Sequence, residues 1–274
     1  MKLNLSDPVF VSLISLSMVF LATTLGSSFV FFFRKSLGER MKAVILGFAG
    51  GIMVSASFFG LLLPSIEGSK ASPLYGSFAF LPPLTGLLLG ALLLFALDKV
   101  VPHFHALQDV EEGPKNVAWS KNLRFFLAVT LHNIPEGLAV GFACGLALSH
   151  AGMDDVAALC LSAFTLALGI AIQNVPEGAA VSIPMFSDGM KKGKAFLFGT
   201  ASGAVEPLFG VLALFLAKLE SVTPWLLSFA AGAMIYVTLD EVLPEAREDG
   251  HHHWAMGSFI LGFALMMVLE VVLG

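Results

Sequence analysis

Eight stretches of this chain stay apolar for long enough to cross a lipid bilayer. They fall at about residues 8–33, 43–66, 78–101, 123–148, 156–186, 195–217, 224–245 and 252–273. A hydrocarbon core about 30 Å thick takes roughly 20 helical residues. Within it every backbone N–H and C=O must find a partner in the protein, so each run is expected to be a helix. Composition agrees: 57% of residues are hydrophobic and only 13% charged, where a soluble domain carries about a quarter charged. The expected fold is an all-α polytopic membrane protein with eight transmembrane helices, a single domain over 1–274. The first run is too long for a signal-peptide core and lacks a small-residue cleavage site, so it is kept as a span. Connections are short except for a loop at about 102–122. Cys144 and Cys160 lie in or beside apolar runs and read as small buried hydrophobes rather than a disulfide framework. No basic nucleic-acid patch and no phosphate-binding glycine loop is present.

The 15 Lys and Arg residues set the orientation. Arg34, Lys35, Arg40 and Lys42 lie at the first connection, and Lys99, Lys115, Lys121 and Arg124 at the third. Lys191, Lys192 and Lys194 lie at the fifth and Arg247 at the seventh. The opposite side has only Lys2, Lys70 and Lys218. The positive-inside bias therefore puts the odd-numbered connections in the cytoplasm and both termini outside. The net charge of −5 carries less information than this distribution.

Two of the runs contain polar residues that hydrocarbon penalises. Leu131-His132-Asn133-Ile134-Pro135-Glu136-Gly137 in segment four returns in segment five as Ile172-Gln173-Asn174-Val175-Pro176-Glu177-Gly178. An ionisable residue inside a span is a functional candidate by default. On a helix each residue advances about 100°. With His132 at zero, Glu136 falls near about 40° and Asn133 near about 100° on the same wheel. Glu136 thus lies between an imidazole and an amide, placed to bridge two ions; Gln173, Glu177 and Asn174 repeat the pattern. Pro135 and Pro176 have no N–H and are expected to free the carbonyls of Leu131 and Ile172, as in transporters with interrupted helices at the midplane. Segments four and five run antiparallel, with three segments before the pair and three after. A 3+2+3 inverted-repeat arrangement follows as the simplest architecture.

Further candidates surround the pair. Glu206, in Val205-Glu206-Pro207, is a third acid inside a span and is expected to join Glu136 and Glu177. Met53, mid-span in segment two, is readable either as packing or as a soft ligand. Imidazole among carboxylates favours a transition metal over Mg²⁺ or Ca²⁺, and carboxylates and amides release an ion more readily than thiolates. Glu67 near the outer end of segment two, and Asp98, Asp240 and Glu241 near cytoplasmic ends, are candidate pathway residues. His103, His105 and His251–His253 join them as cytoplasmic imidazoles able to bind metal.

The paired motif resembles the signature of the Zrt-, Irt-like (ZIP) divalent metal transporter family. The glutamine in the second copy, Val205-Glu206-Pro207 and the Asp98…Pro102-His103-Phe104-His105 stretch are similar to its GufA-type branch. The resemblance implies import of Zn²⁺, with Cd²⁺, Fe²⁺ and Mn²⁺ also possible, into the cytoplasm through a binuclear site. One ion would use His132, Glu136, Gln173 and Glu177 with Met53; the second would use Asn133, Glu136, Asn174, Glu177 and Glu206. It further implies an elevator-like movement of segments one, four, five and six, a homodimer, and a multi-pass place in the plasma membrane, the inner membrane of a bacterium. Asn174 stands where some relatives have Asp, and Asp240 where some have His. The rivals are a membrane-embedded metalloenzyme and a metal sensor without net transport. An enzyme needs an open metal position with an acid or base beside it, and neither an HExxH stretch nor a protease-type serine motif occurs.

Overall fold

Asp7 and Pro8 start the first helix. The Asp7 carboxylate accepts hydrogen bonds from the Val9 and Phe10 amides at 2.9 and 3.3 Å, an N-cap followed by proline at the first helical position. In this computed structural model, residues 5–32, 38–100, 103–105, 110–112, 121–187, 189–217, 220–247 and 251–273 are described. Helix α1 spans Pro8–Ser28. The second rod is α2 (Glu39–Ser55), a π-helical stretch (Ala56–Leu62) and α3 (Leu63–Ala71). α4 spans Leu81–Val100, α5 Lys121–Ser149 and α6 Val156–Ser187. The sixth rod is broken into α7 (Lys192–Gly203) and α8 (Val205–Leu216). The seventh is α9 (Thr223–Val237), a π-helical stretch (Thr238–Val242) and α10 (Leu243–Arg247). α11 spans His252–Leu273.

Among the described residues, seven of these rods are long and apolar enough to cross a membrane. The seventh rod is the exception to the expected eight. Its last turns carry Asp240, Glu241, Glu245 and Arg247, which shortens its apolar part, although it packs along α4 as a full member of the bundle. The all-helical expectation needs one small addition. Within the long connection, β1 (His103–His105) and β2 (Val110–Glu112) pair antiparallel, with His103 opposite Glu112 and His105 opposite Val110. Phe104 and Val110 have the aromatic and β-branched character that suits a strand. The hairpin lies against α5.

The rods pack in four close pairs: α1 along α6, α8 along α5, α2 along α11 and α9 along α4. Glycine lets them approach. A Cβ at Gly26 or Gly178 would overlap backbone of the facing helix, at Val175 and Thr23 respectively. One apolar core, including Val19, Phe142, Leu166 and Ile170, fills the bundle toward the end where α5 meets α6. A second, including Val129, Val181, Ile183 and Met185, fills the other end. The motif residues of α5 and α6 lie between the two cores along their helices.

Candidate metal centre

α5 and α6 run unbroken through Pro135 and Pro176, so the carbonyls expected to be freed at Leu131 and Ile172 come without a break in either rod. Each proline removes one ladder hydrogen bond without breaking the rod. The discontinuity lies instead in the sixth rod, where Ala204 separates α7 from α8 and its N–H bonds to Ala201 O at 3.2 Å, a tightened turn. Pro207 contributes to the break, since it has no N–H to offer Gly203 O. The break sets Glu206 in the first turn of α8, where the helix dipole favours negative charge.

The acids and amides of the two motifs converge. Asn133, Glu136, Asn174 and Glu206 have no exposed surface, and Gln173 is 1% exposed. Gln173 Nε2 donates to Glu136 Oε1 at 2.5 Å and to Asn174 Oδ1 at 2.6 Å. The Glu177 carboxyl interacts with Glu136, Glu206 and the Asn133 amide. Glu206 in turn interacts with Glu136, Asn174 and Thr23. Three carboxyls and three carboxamides therefore lie near one another between α5, α6 and α8, with Glu177 half-buried and the others buried. Glu177 Oε1, Glu206 Oε2 and both polar atoms of Asn133 are buried without a well-formed hydrogen bond. Each such atom costs about 1–3 kcal/mol unless something else satisfies it, and a cation would satisfy all of them together.

Met53 is 3% exposed and packs with Leu94, Ala233 and Val237 of α4 and α9. Thr238 Oγ1 lies 3.7 Å from its sulfur. These contacts tie Met53 to α4 and α9. Glu67 is exposed and, with Asp155 and Glu270, lines a cavity of about 370 Å³. Asp240 is exposed near the end of the seventh rod. The side chains of His132, Asp98, His103, His105 and Glu241 lie outside the described residues. His251–His253 open α11, with the rings of His252 and His253 4.0 Å apart. Among the described residues no three of His, Cys, Asp and Glu are gathered to hold an ion unaided; carboxamides make up half of the donor set. Cys144 and Cys160 are buried free thiols.

Sequence reasoning passed over two residues. Thr23 of α1 donates from Oγ1 to Glu206 Oε1 at 2.9 Å; a lone threonine in an apolar run gives no signal. Glu270, 9% exposed with a buried Oε1 lacking a hydrogen bond, was findable as an acid inside the last apolar run.

Fold and site together define a polytopic helical membrane protein built around an intramembrane cluster of acids and amides. A family profile described as "ZIP Zinc transporter" matches residues 120–270. The chain is 34% identical to zinc transporter ZIP11 of Homo sapiens, over 97% of this chain and 98% of that protein. It is 35% identical to zinc transporter GufA of Myxococcus xanthus, covering 87% and 89% of the two chains. With zinc transporter ZIPB of Bordetella bronchiseptica it shares 35% identity over 93% and 79%. The chain belongs to the ZIP zinc transporter family. It is not an enzyme.

Proposed function

We propose that this protein imports Zn²⁺, or a related divalent metal, into the cytoplasm through a site that holds two ions between α5, α6 and α8. The observation that carries the reading is the clustering of Glu136, Glu206, Asn133, Gln173 and Asn174, all buried, with the half-buried Glu177. On insertion scales a single acid at the centre of a span costs about 2.5–3.5 kcal/mol, and apolar residues of similar size would fill the same space more stably. Three acids are thus unaccounted for by packing, whereas one or two M²⁺ offset their charge. His132, Glu136, Gln173 and Glu177 would hold one ion, with Met53 reaching it from the α2 side. Asn133, Glu136, Asn174, Glu177 and Glu206 would hold the other. Gln173 now points its N–H₂ at Glu136, so binding should turn this carboxamide to present its oxygen.

The helix pairing supports an inverted repeat. Exchange the first rod with the sixth, the second with the seventh, the third with the eighth and the fourth with the fifth. The α1–α6 contact then becomes α8–α5, and α2–α11 becomes α9–α4. The same exchange maps one π-helical stretch, Ala56–Leu62, onto the other, Thr238–Val242. The cavity bearing Glu67, Asp155 and Glu270 would receive ions on the outer side. Asp98, Asp240, Glu241, His103 and His105 would pass them on at the cytoplasmic side. The family expectation of a homodimer in the plasma membrane is kept with this reading.

Two measurements test it. In proteoliposomes, Zn²⁺ should enter faster than into empty vesicles, with Cd²⁺, Fe²⁺ and Mn²⁺ as competitors. Uptake equal to that of empty vesicles would leave a sensor as the better reading. Asn133→Ala and Asn174→Ala should each leave one bound ion and partial transport, counted by elemental analysis of the purified chain. Orientation is checked separately with single cysteines. One near Asp154 should react with an impermeant thiol reagent on intact cells, and one near Lys115 should be protected. The reverse labelling would overturn the orientation.

A further inference from the structure

Thr23 has no place in the ligand sets above, yet it touches the site. It lies in the C-terminal third of α1, fully buried. A helical threonine usually turns its hydroxyl back to the carbonyl four residues earlier. Here Val19 O is 3.3 Å from Oγ1 whereas Glu206 Oε1 is 2.9 Å away, so the single hydroxyl proton has its shorter acceptor across the interface. The threonine is wedged there. A Cβ at Gly178 of α6 would overlap Thr23 O, and one at Gly203 of α7 would come within 2.8 Å of Thr23 Cβ. A β-branched side chain so enclosed keeps its rotamer. The hydroxyl therefore occupies one oxygen of Glu206 and leaves the other, Oε2, buried and without a well-formed hydrogen bond. One turn earlier on the same helix, Val19 O accepts from Asn174 Nδ2 at 3.3 Å.

We propose that Thr23 is a positioning residue for the second ion: its hydroxyl holds Glu206 so that only Oε2 faces the metal. The inference rests on the two-ion reading given above. α1 then contributes no ligand, but it orients two of the ligands assigned to the second ion, Glu206 through Thr23 and Asn174 through Val19. A carboxylate limited to one oxygen grips an ion less firmly than a chelating one, which suits cargo that must leave.

The test uses the full chain in lipid nanodiscs, titrated with Zn²⁺ by calorimetry, and in proteoliposomes for uptake. Thr23→Val keeps the shape and removes the hydroxyl; Thr23→Ser keeps the hydroxyl. Groups that orient metal ligands are worth about 10–100-fold in affinity. Thr23→Val should therefore weaken the second Zn²⁺ by at least about 10-fold while leaving the first within about twofold. Thr23→Ser should restore the second ion. Should the valine form not fold, Thr23→Ala serves in its place. Unchanged binding in Thr23→Val, in a series where Glu206→Gln loses the second ion, would overturn the role of Thr23. So would a serine form as weak as the valine form, since the methyl group would then be what matters. Two ions retained in Glu206→Gln would overturn the assignment of Glu206 to the second ion, and a single ion bound by the unaltered chain would overturn the two-ion reading itself.

Discussion

Uptake of Zn²⁺ should nearly vanish when either Glu136 or Glu177 is replaced by alanine. Each carboxylate is proposed as a ligand to both ions, so its removal takes a donor from two coordination shells at once. Outer-shell partners of metal sites already cost about 10–100-fold when lost, and a shared direct ligand should cost more than about 100-fold in uptake. The change should not harm insertion. Removing an acid from a span relieves an unfavourable residue, although Glu136→Ala takes the acceptor from the Gln173 amide. The expected pattern is a protein that elutes as wild type in detergent, binds little Zn²⁺ and transports almost none. Glu206→Gln should be milder, since it belongs to one ion only. Normal uptake by correctly inserted Glu136→Ala and Glu177→Ala would mean that the three carboxyls cluster for another reason.

The parts of the molecule legible in the sequence are those written in periodicities or in penalties. Rods of bilayer length follow from apolar run lengths, and the helix ends fall close to the expected ones: α6 spans Val156–Ser187 against an expected 156–186. The motif acids were visible because hydrocarbon penalises charge wherever it occurs. What could not be read depends on which helix faces which. Thr23 becomes meaningful only when α1 lies on α6 and the break at Ala204 presents Glu206 to it. The break itself was half-written: Pro207 was visible, but Pro135 and Pro176 looked equally disruptive and left their helices intact. A proline removes one hydrogen bond everywhere; whether the rod yields depends on what packs against it. Met53 shows the converse. Its place in segment two was legible, while its neighbours on α4 and α9 depend on the tertiary arrangement.

The closing glycine of each motif leads to the second large effect. Gly178→Val should prevent α1 from seating on α6, and Gly137→Val should do the same for α8 on α5. A Cβ at Gly178 would overlap Thr23 O and lie 2.8 Å from Ser27 N; at Gly137 it would overlap Glu206 O and lie 2.7 Å from Glu206 Cα. All four atoms are backbone, so no rotamer change relieves the overlap and the helices must move apart. Overpacking in a close-packed interior costs about 1–3 kcal/mol when side chains can adjust; a backbone clash should exceed that. Separation would also pull Thr23 and the Val19 carbonyl away from Glu206 and Asn174, so metal binding should fall together with stability. Thr23 on α1 meets Gly178 and Glu206 on α8 meets Gly137, so each faces a motif glycine. The two glycines thus do one job on both sides of the site: they bring a neighbouring helix close enough for its polar side chain to reach the acids. Gly257 on α11 provides the control. A Cβ there meets nothing within 4 Å, and alanine is better than glycine in a helix by about 0.5–1 kcal/mol. Gly257→Ala should therefore raise the thermal midpoint slightly or leave it unchanged, while Gly178→Val and Gly137→Val lower it by many degrees and lose bound Zn²⁺. Wild-type midpoints and Zn²⁺ content in the two valine forms would show that these helices do not approach as closely as described, and the link between Thr23 and Glu206 would fall with them.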